Sequence, residues 1–236
     1  LAYFVLTPAF VFGYMSSARI DGALAARMIG FISAGYAGST VVAYLVARLT
    51  RRDRATTAAY VMMAVFGNVG NYGLPISKFS QGDSAIVPSA IYFLANLVLA
   101  FVTCVWVASA AGAGGTPTTS AAARWRAIVN VLKTPALLAL LPAILSNALD
   151  VRWPLFVTRP LDLLSGALIP IMLLTLGAQL AAAGIPRPNR DMLTAIGIRL
   201  ISGPLLAFAL AGAFGLTGIE RNTGIIQSSM PSAVLV

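Results

Sequence analysis

Apolar residues in this sequence run in long blocks rather than in strand-like alternation or the narrow stripe of a soluble helix. A membrane-spanning helix needs about 20 mostly apolar residues. The pattern predicts eight hydrophobic spans: A over 1–17, B over 24–49, C over 56–80, D over 85–111, E over 135–149, F over 161–183, G over 192–214, and H from 223 to the last residue. Span C is interrupted over 67–75, and span H is interrupted at its own proline, Pro231. The expected fold is all-α, a polytopic transmembrane helical bundle.

Basic residues fall between the blocks. The B–C loop holds Arg48, Arg51, Arg52 and Arg54; the D–E loop holds Arg124, Arg126 and Lys133; the F–G loop holds Arg187 and Arg190. If each span crosses once, these loops share one side. That side carries nine basic residues against Asp53 and Asp191, which marks it as cytoplasmic. The other side is nearly balanced, with Arg19, Arg27, Lys78, Arg152, Arg159 and Arg221 against Asp21, Asp83, Asp150, Asp162 and Glu220. Trp125 and Trp153 fall at span edges, where an interfacial indole sits.

Composition removes most other classes. Of 236 residues, 58% are hydrophobic and 10% charged, with mean hydropathy +0.86. A soluble domain carries roughly 25% charged residues, so a soluble enzyme is excluded. There is no histidine, which excludes histidine acid–base catalysis and histidine–metal sites. The single cysteine, Cys104, lies in an apolar block and reads as a packing residue. A net charge of +9 distributed over loops fits membrane topology rather than nucleic-acid binding. No signal peptide is recognised, and the chain reads as a piece of a longer protein.

Two proline pairs recur at similar offsets: Pro8 with Pro170, and Pro75 with Pro231. Spans A, B and C then map onto F, G and H with opposite direction, the inverted repeat common among transporters. The mapping leaves spans D and E without partners, so about one helix is expected to be missing at each end of a ten-helix fold. The expected organisation is an N-terminal repeat over 1–111 with a crossover at 66–76, a cytoplasmic linker over 112–134, and a C-terminal repeat over 135–236 with a crossover at 227–234.

The interruptions are the candidate site. Proline lacks an N–H and clashes with the carbonyl four residues back, so Pro75 is expected to free the carbonyl of Asn71, and Pro231 that of Gln227. Asn68, Tyr72, Ser228 and Ser229 add polar groups. Unwound backbone at membrane depth must be buried in protein or face a wet cavity, and two matched breaks point to a midplane substrate site. Arg199, about seven residues into span G, lies roughly 10 Å deep at 1.5 Å per residue. It attracts an anionic substrate or caps the carbonyl end of a half-helix; both readings stand at this point. The candidate substrate-binding residues are Asn68, Asn71, Tyr72, Pro75, Gln227, Ser228, Ser229, Pro231 and Arg199. Asn96 and Asn147 line the cavity or bond to neighbouring helices. Gly30, Ala34 and Gly38 read as a helix-packing face.

The run Phe66-Gly67-Asn68-Val69-Gly70-Asn71-Tyr72-Gly73-Leu74-Pro75 resembles the first crossover motif of the auxin efflux carrier family. Residues 169–180 resemble that family's seventh helix, Ser229-Met230-Pro231-Ser232-Ala233-Val234 its second crossover, and Arg199 with Pro204 its eighth helix. The resemblance implies a secondary carrier with two crossed, broken helices, in which B, C, D, G and H move against a scaffold of A, E and F. It implies transport of small organic anions such as carboxylates by alternating access. By similarity, Asn68 is the crossover asparagine associated with a substrate carboxylate. The short central loop and the Asn71-Tyr72 pair depart from the plant carriers, which sets auxin aside and points to a bacterial inner-membrane permease. The expected partners are a small organic anion and the bilayer, with a homodimer permitted and no nucleic acid; no cofactor or metal is expected. The alternatives are a sodium-coupled symporter of the related bile-acid type and a non-transporting membrane sensor.

Overall fold

Prolines set the rhythm of the folded chain. The computed structural model describes residues 1–17, 21–111, 121–183 and 188–233. In chain order its helices are α1 (Thr7–Ser17), α2 (Gly22–Leu49), α3 (Arg54–Val65), α4 (Leu74–Gln81), α5 (Ile86–Ala111), α6 (Ala121–Leu132), α7 (Pro135–Ala148), α8 (Leu155–Ala183), α9 (Arg190–Gly197), α10 (Gly203–Ala213) and α11 (Gly218–Ser228). Wide π-type turns at Ala2–Leu6, Val69–Gly73 and Ile198–Ser202 precede α1, α4 and α10. Each turn ends two residues before a proline: Pro8, Pro75 and Pro204. Widening the turn before the ring relieves its clash with the preceding turn of backbone. The prolines therefore widen the helices ahead of them instead of ending them.

Four helical stretches are long and apolar enough to cross a bilayer: Gly22–Leu49, Asp83–Val107, Leu155–Ala182 and Arg190–Ala213. Ala2–Ser17 and Pro135–Ala148 are shorter apolar helices. The all-α membrane bundle expected from the sequence is the observed architecture.

The helices sort into two groups. α1 packs on α7 and α8; α2, α3, α5, α10 and α11 pack on one another, and α9 lies against α3. One apolar core fills the contact between the groups, with Phe10, Val11, Leu168 and Met172 meeting Leu74, Ile86, Ala90 and Leu94. Two further cores, around Met28, Phe31 and Tyr92 and around Ala43, Tyr60 and Ile198, lie inside the second group. Gly30 and Gly38 pack against Phe214 and Leu206, so that small-residue face joins α2 to α10. Cys104 is partly buried in the same group and packs as expected.

The α2–α3 turn meets the start of α9. Arg52 pairs with Asp191 at 2.9 Å, and the Tyr60 hydroxyl donates to Asp191 at 2.6 Å, tying the α2–α3 turn to the start of α9. Asp53 caps α3 by accepting from the Thr56 N–H at 2.8 Å. Hydrogen bonds from Thr56 hold its carboxyl below the usual range. That depressed value means the cap is complete above the ordinary carboxylate pKa and is lost as pH falls through the folded one.

Several expected boundaries move. Residues 121–132, inside the expected linker, form α6, a short helix that carries Arg124 and Arg126. α8 begins at Leu155 rather than 161 and runs through Pro160. α11 begins at Gly218, not near Thr223. Arg19, Arg187, Val234 and the linker segment 112–120 lie outside the described residues.

Candidate functional site

Two unwound segments cross at the centre of the second group. α3 stops at Val65, and Phe66, Gly67 and Asn68 leave helical geometry before the π-turn begins. α11 stops at Ser228, and Ser229 to Ala233 follow without helix. The Asn68 N–H donates to the Pro231 carbonyl at 2.8 Å, and the Ala233 N–H donates to the Phe66 carbonyl at 2.8 Å. Gly67 and Ser232 thereby form an antiparallel bridge. The breaks expected to face each other satisfy each other.

The end of α3 shows how complete this is. A helix leaves its last four carbonyls without intrahelical partners. Here Met62 accepts from the Phe66 N–H at 2.9 Å and Val65 from the Gly67 N–H at 3.0 Å. Met63 accepts from the Ser232 hydroxyl at 2.8 Å. Ala64 accepts from Arg199 Nη1 at 2.7 Å. Arg199 Nε donates to the Met230 carbonyl at 2.8 Å, so one guanidinium spans both breaks. Of the two roles open in the sequence, carbonyl capping is the one that occupies these donors. A β-carbon at Gly67 would overlap the guanidinium, so only glycine lets it reach across.

The breaks sit a few residues from where the prolines placed them. Pro75 is buried in the first turn of α4, where its missing N–H is harmless, and the chain unwinds at 66–68 instead. Gln227 is still helical, and its carbonyl accepts from the Met230 N–H at 3.3 Å, so Pro231 does not free it. Among the described residues the second break starts at Ser229 rather than at Gln227 and runs through Ala233; Val234, the expected end, lies outside them.

The nine expected residues divide by what their side chains do. Gln227 is fully buried and donates from Nε2 to Ser77 Oγ at 3.3 Å. Ser228 Oγ and the Tyr92 hydroxyl lie 2.9 Å apart. Ser229 Oγ donates to its own helix at Ile225, 2.7 Å. Pro231 contributes its carbonyl, and Arg199 its two donors. By contrast, Asn68 is buried and opens the π-turn without capping it. Asn71 and Tyr72 are half-buried in the same turn. Among the described residues, no protein hydrogen bond is made by these three side chains. The π-turn packs on α8 and α5, with Gly70 near Met172 of α8 and Phe93 of α5. These three therefore sit where the second group meets the first.

Sequence reasoning missed three contributors. Tyr36 donates to Asn96 Oδ1, Tyr92 meets Ser228, and Ser77 meets Gln227. All lie on regular helices, and only the fold brings them to the crossing. Asn147 donates to the Met15 and Ser16 carbonyls at 3.2 and 3.3 Å, so it joins α7 to α1.

Close approach makes Gly203 sensitive. A β-carbon there would overlap the Ser228 backbone carbonyl oxygen, which cannot swing aside. Gly203→Ala is expected to cost about 1–3 kcal/mol from overpacking. Thermal melting of the purified protein measures it, and an unchanged midpoint would refute the close approach.

Space at the crossing is small. A cavity of about 20 Å³ is lined by Tyr36, Ser39, Tyr92, Arg199 and Ser228 among others, room for roughly one water. A cleft of about 710 Å³ lies elsewhere, between α1 and α7 on one side and α2 and α5 on the other. Its lining is apolar apart from Asn147 and includes none of the nine residues.

Comparison with known proteins places this chain in a family. A model described as "Membrane transport protein" matches residues 1–236. The chain is 23% identical over 226 residues to an uncharacterized transporter of Methanocaldococcus jannaschii, covering 94% of this chain and 70% of that protein. It is 26% identical over 198 residues to an uncharacterized transporter of Methanothermobacter thermautotrophicus, covering 84% and 62%. It is 25% identical over 191 residues to the "Putative malonate transporter" of Rhizobium meliloti, covering 80% and 58%. The chain thus spans 58 to 70% of the length of these relatives.

Proposed function

The chain belongs to the Membrane transport protein family, of auxin efflux carrier type, and from that premise we propose that it carries small organic anions across the inner membrane by alternating access. The observation that carries the reading is the mutual pairing of the two breaks beside three uncommitted polar side chains. The Asn68 to Pro231 and Ala233 to Phe66 bonds tie the broken helices into one unit. Asn68, Asn71 and Tyr72 remain for a substrate.

Electrostatics favours an anion at that position. The π-turn and α4 start at Asn68, so their N-terminal N–H groups lack intrahelical partners and carry partial positive charge. A carboxylate is well matched to such an end. The opposing C-terminal ends are neutralised by Arg199. The relative named for malonate supports a small dicarboxylate.

The long-range side-chain bonds fit two moving bodies. Ser165 to Ala9 and Asn147 to Met15 lie within the first group. Tyr92 with Ser228, Tyr60 to Asp191, Arg199 to Ala64 and Ser232 to Met63 lie within the second. The contact between the groups is apolar packing, which can slide without breaking these bonds. Asn68 is buried in this state, so a substrate reaches it only by that movement. The first group, α1, α7 and α8, is the scaffold in this reading.

The test is counterflow of labelled malonate and other small mono- and dicarboxylates into proteoliposomes carrying the full-length protein. Saturable exchange above empty vesicles is expected for at least one carboxylate. A whole panel at the empty-vesicle rate would sink the proposal.

A sodium-coupled symporter is the second reading, and one feature favours it. Gln81 donates to Thr223 at 3.2 Å, and Gln227 to Ser77 at 3.3 Å. These rungs join α4 to α11 one helical turn apart. The carbonyl oxygens of both glutamines are buried without partners, as a cation ligand would be. The same vesicles decide: sodium-independent exchange rejects coupling through these oxygens.

A further inference from the structure

A groove of about 550 Å³ opens between α2, α3 and the end of α5, beside the basic α2–α3 turn. One part of its lining is cationic: Arg48, Arg52 and Arg54. The rest is mainly apolar, with Val41, Leu45, Val61 and Val107 as walls. From the groove's two-part lining we infer that it binds an anionic phospholipid, with the phosphate among the arginines and an acyl chain along the walls.

Charge complementarity identifies the occupant. Among the described residues, no carboxylate lines the groove. The nearby acids are already engaged: Asp53 accepts from the Thr56 N–H, and Asp191 from Arg52 and Tyr60. Arg52 Nε is buried without a partner, a donor left over after the Asp191 pair. Arg48 lies 6.0 Å from the centre of the Tyr44 ring, beside the groove. These groups suit a phosphate diester, which accepts hydrogen bonds on several oxygens.

The walls separate a lipid from a free phosphate. Val41 and Leu45 are 55% and 52% exposed, on a helix that is long and apolar enough to cross the bilayer. Val41, Tyr44, Leu45 and Arg48 repeat at helical spacing and share one face. Seven residues separate Val41 from Arg48, about 10 Å along the axis, so headgroup contacts and acyl contacts lie on one continuous surface. Basic residues at this end also mark the cytoplasmic leaflet, where anionic lipids concentrate. The inference rests on that orientation but not on transport, so binding is read without flux.

The experiment is native mass spectrometry of the purified full-length protein with phosphatidylglycerol, phosphatidylcholine or soluble glycerol phosphate. Phosphatidylglycerol is expected to be retained at least about tenfold over the other two. At about a fivefold gain per arginine, Arg48→Gln with Arg54→Gln should weaken it roughly thirtyfold. Arg48→Lys with Arg54→Lys keeps the charges and should keep most of the preference, and Arg51→Gln, outside the lining, should bind as the parent does. Equal retention of phosphatidylcholine, parental binding by the glutamine variant, or full competition by glycerol phosphate would each overturn the site.

Discussion

Arg199→Met is expected to cost the protein about 2–6 kcal/mol of stability. The side chain is buried and donates to two carbonyls, Ala64 at 2.7 Å and Met230 at 2.8 Å. Methionine fills a similar volume but donates nothing, and each buried carbonyl left alone costs about 1–3 kcal/mol. Set against a total of roughly 5–15 kcal/mol, that loss is large. Charge balance points the same way. Helix C-termini carry about half a negative charge each; the guanidinium meets the end of α3 at Ala64 and the chain two residues past α11 at Met230. Together they roughly match its single positive charge, which is how a cation stays buried without a carboxylate. Arg199→Lys keeps the charge but loses the planar fork that reaches both carbonyls, so an intermediate loss is expected. Thermal unfolding in detergent checks both variants. At about 2–4 °C per kcal/mol for a chain of this size, the methionine midpoint should fall by at least about 4 °C. A midpoint unchanged within about 1 °C would remove Arg199 as the pin of the crossing.

Much of this was legible in the sequence because membrane helices must satisfy their own backbone. Long apolar blocks located the spans to within a few residues, apart from the starts of α8 and α11. Proline and glycine clusters located the two breaks and their partnership. Sequence could not place the unwinding itself, because proline acts on the backbone before it. Pro75 therefore ended up inside a helix and Asn68 outside one. Nor could it separate the nine candidates by role. Ser228 and Gln227 share hydrogen bonds with Tyr92 and Ser77, partners on other helices that no local pattern in the sequence announces. α6 escaped notice because a short helix with basic residues lacks the hydropathy that marked the others.

Asn68→Ala should reduce carboxylate exchange by about 10- to 150-fold while leaving the fold in place. The two effects separate because different atoms of Asn68 serve them. Its backbone N–H holds the crossing through Pro231, and alanine keeps that bond. Its side chain does not cap the π-turn, so removing the amide frees no helical N–H. One hydrogen bond from the amide to an ionised carboxylate is worth about 1.5–3 kcal/mol, which sets the size of the loss. A melting midpoint near the parent's, measured on the same preparation, distinguishes lost binding from lost folding; equal exchange in the variant would remove Asn68 from the site. Asn68→Asp sharpens the test. It preserves shape but replaces the amide donor with a negative charge at the place proposed for an anion. Like charges repel, so the aspartate variant should transport no better than the alanine one. Were it instead to match the parent or gain sodium dependence, the pocket would be selecting a cation, and the partial positive charge of the α4 half-helix would not be what draws the substrate in.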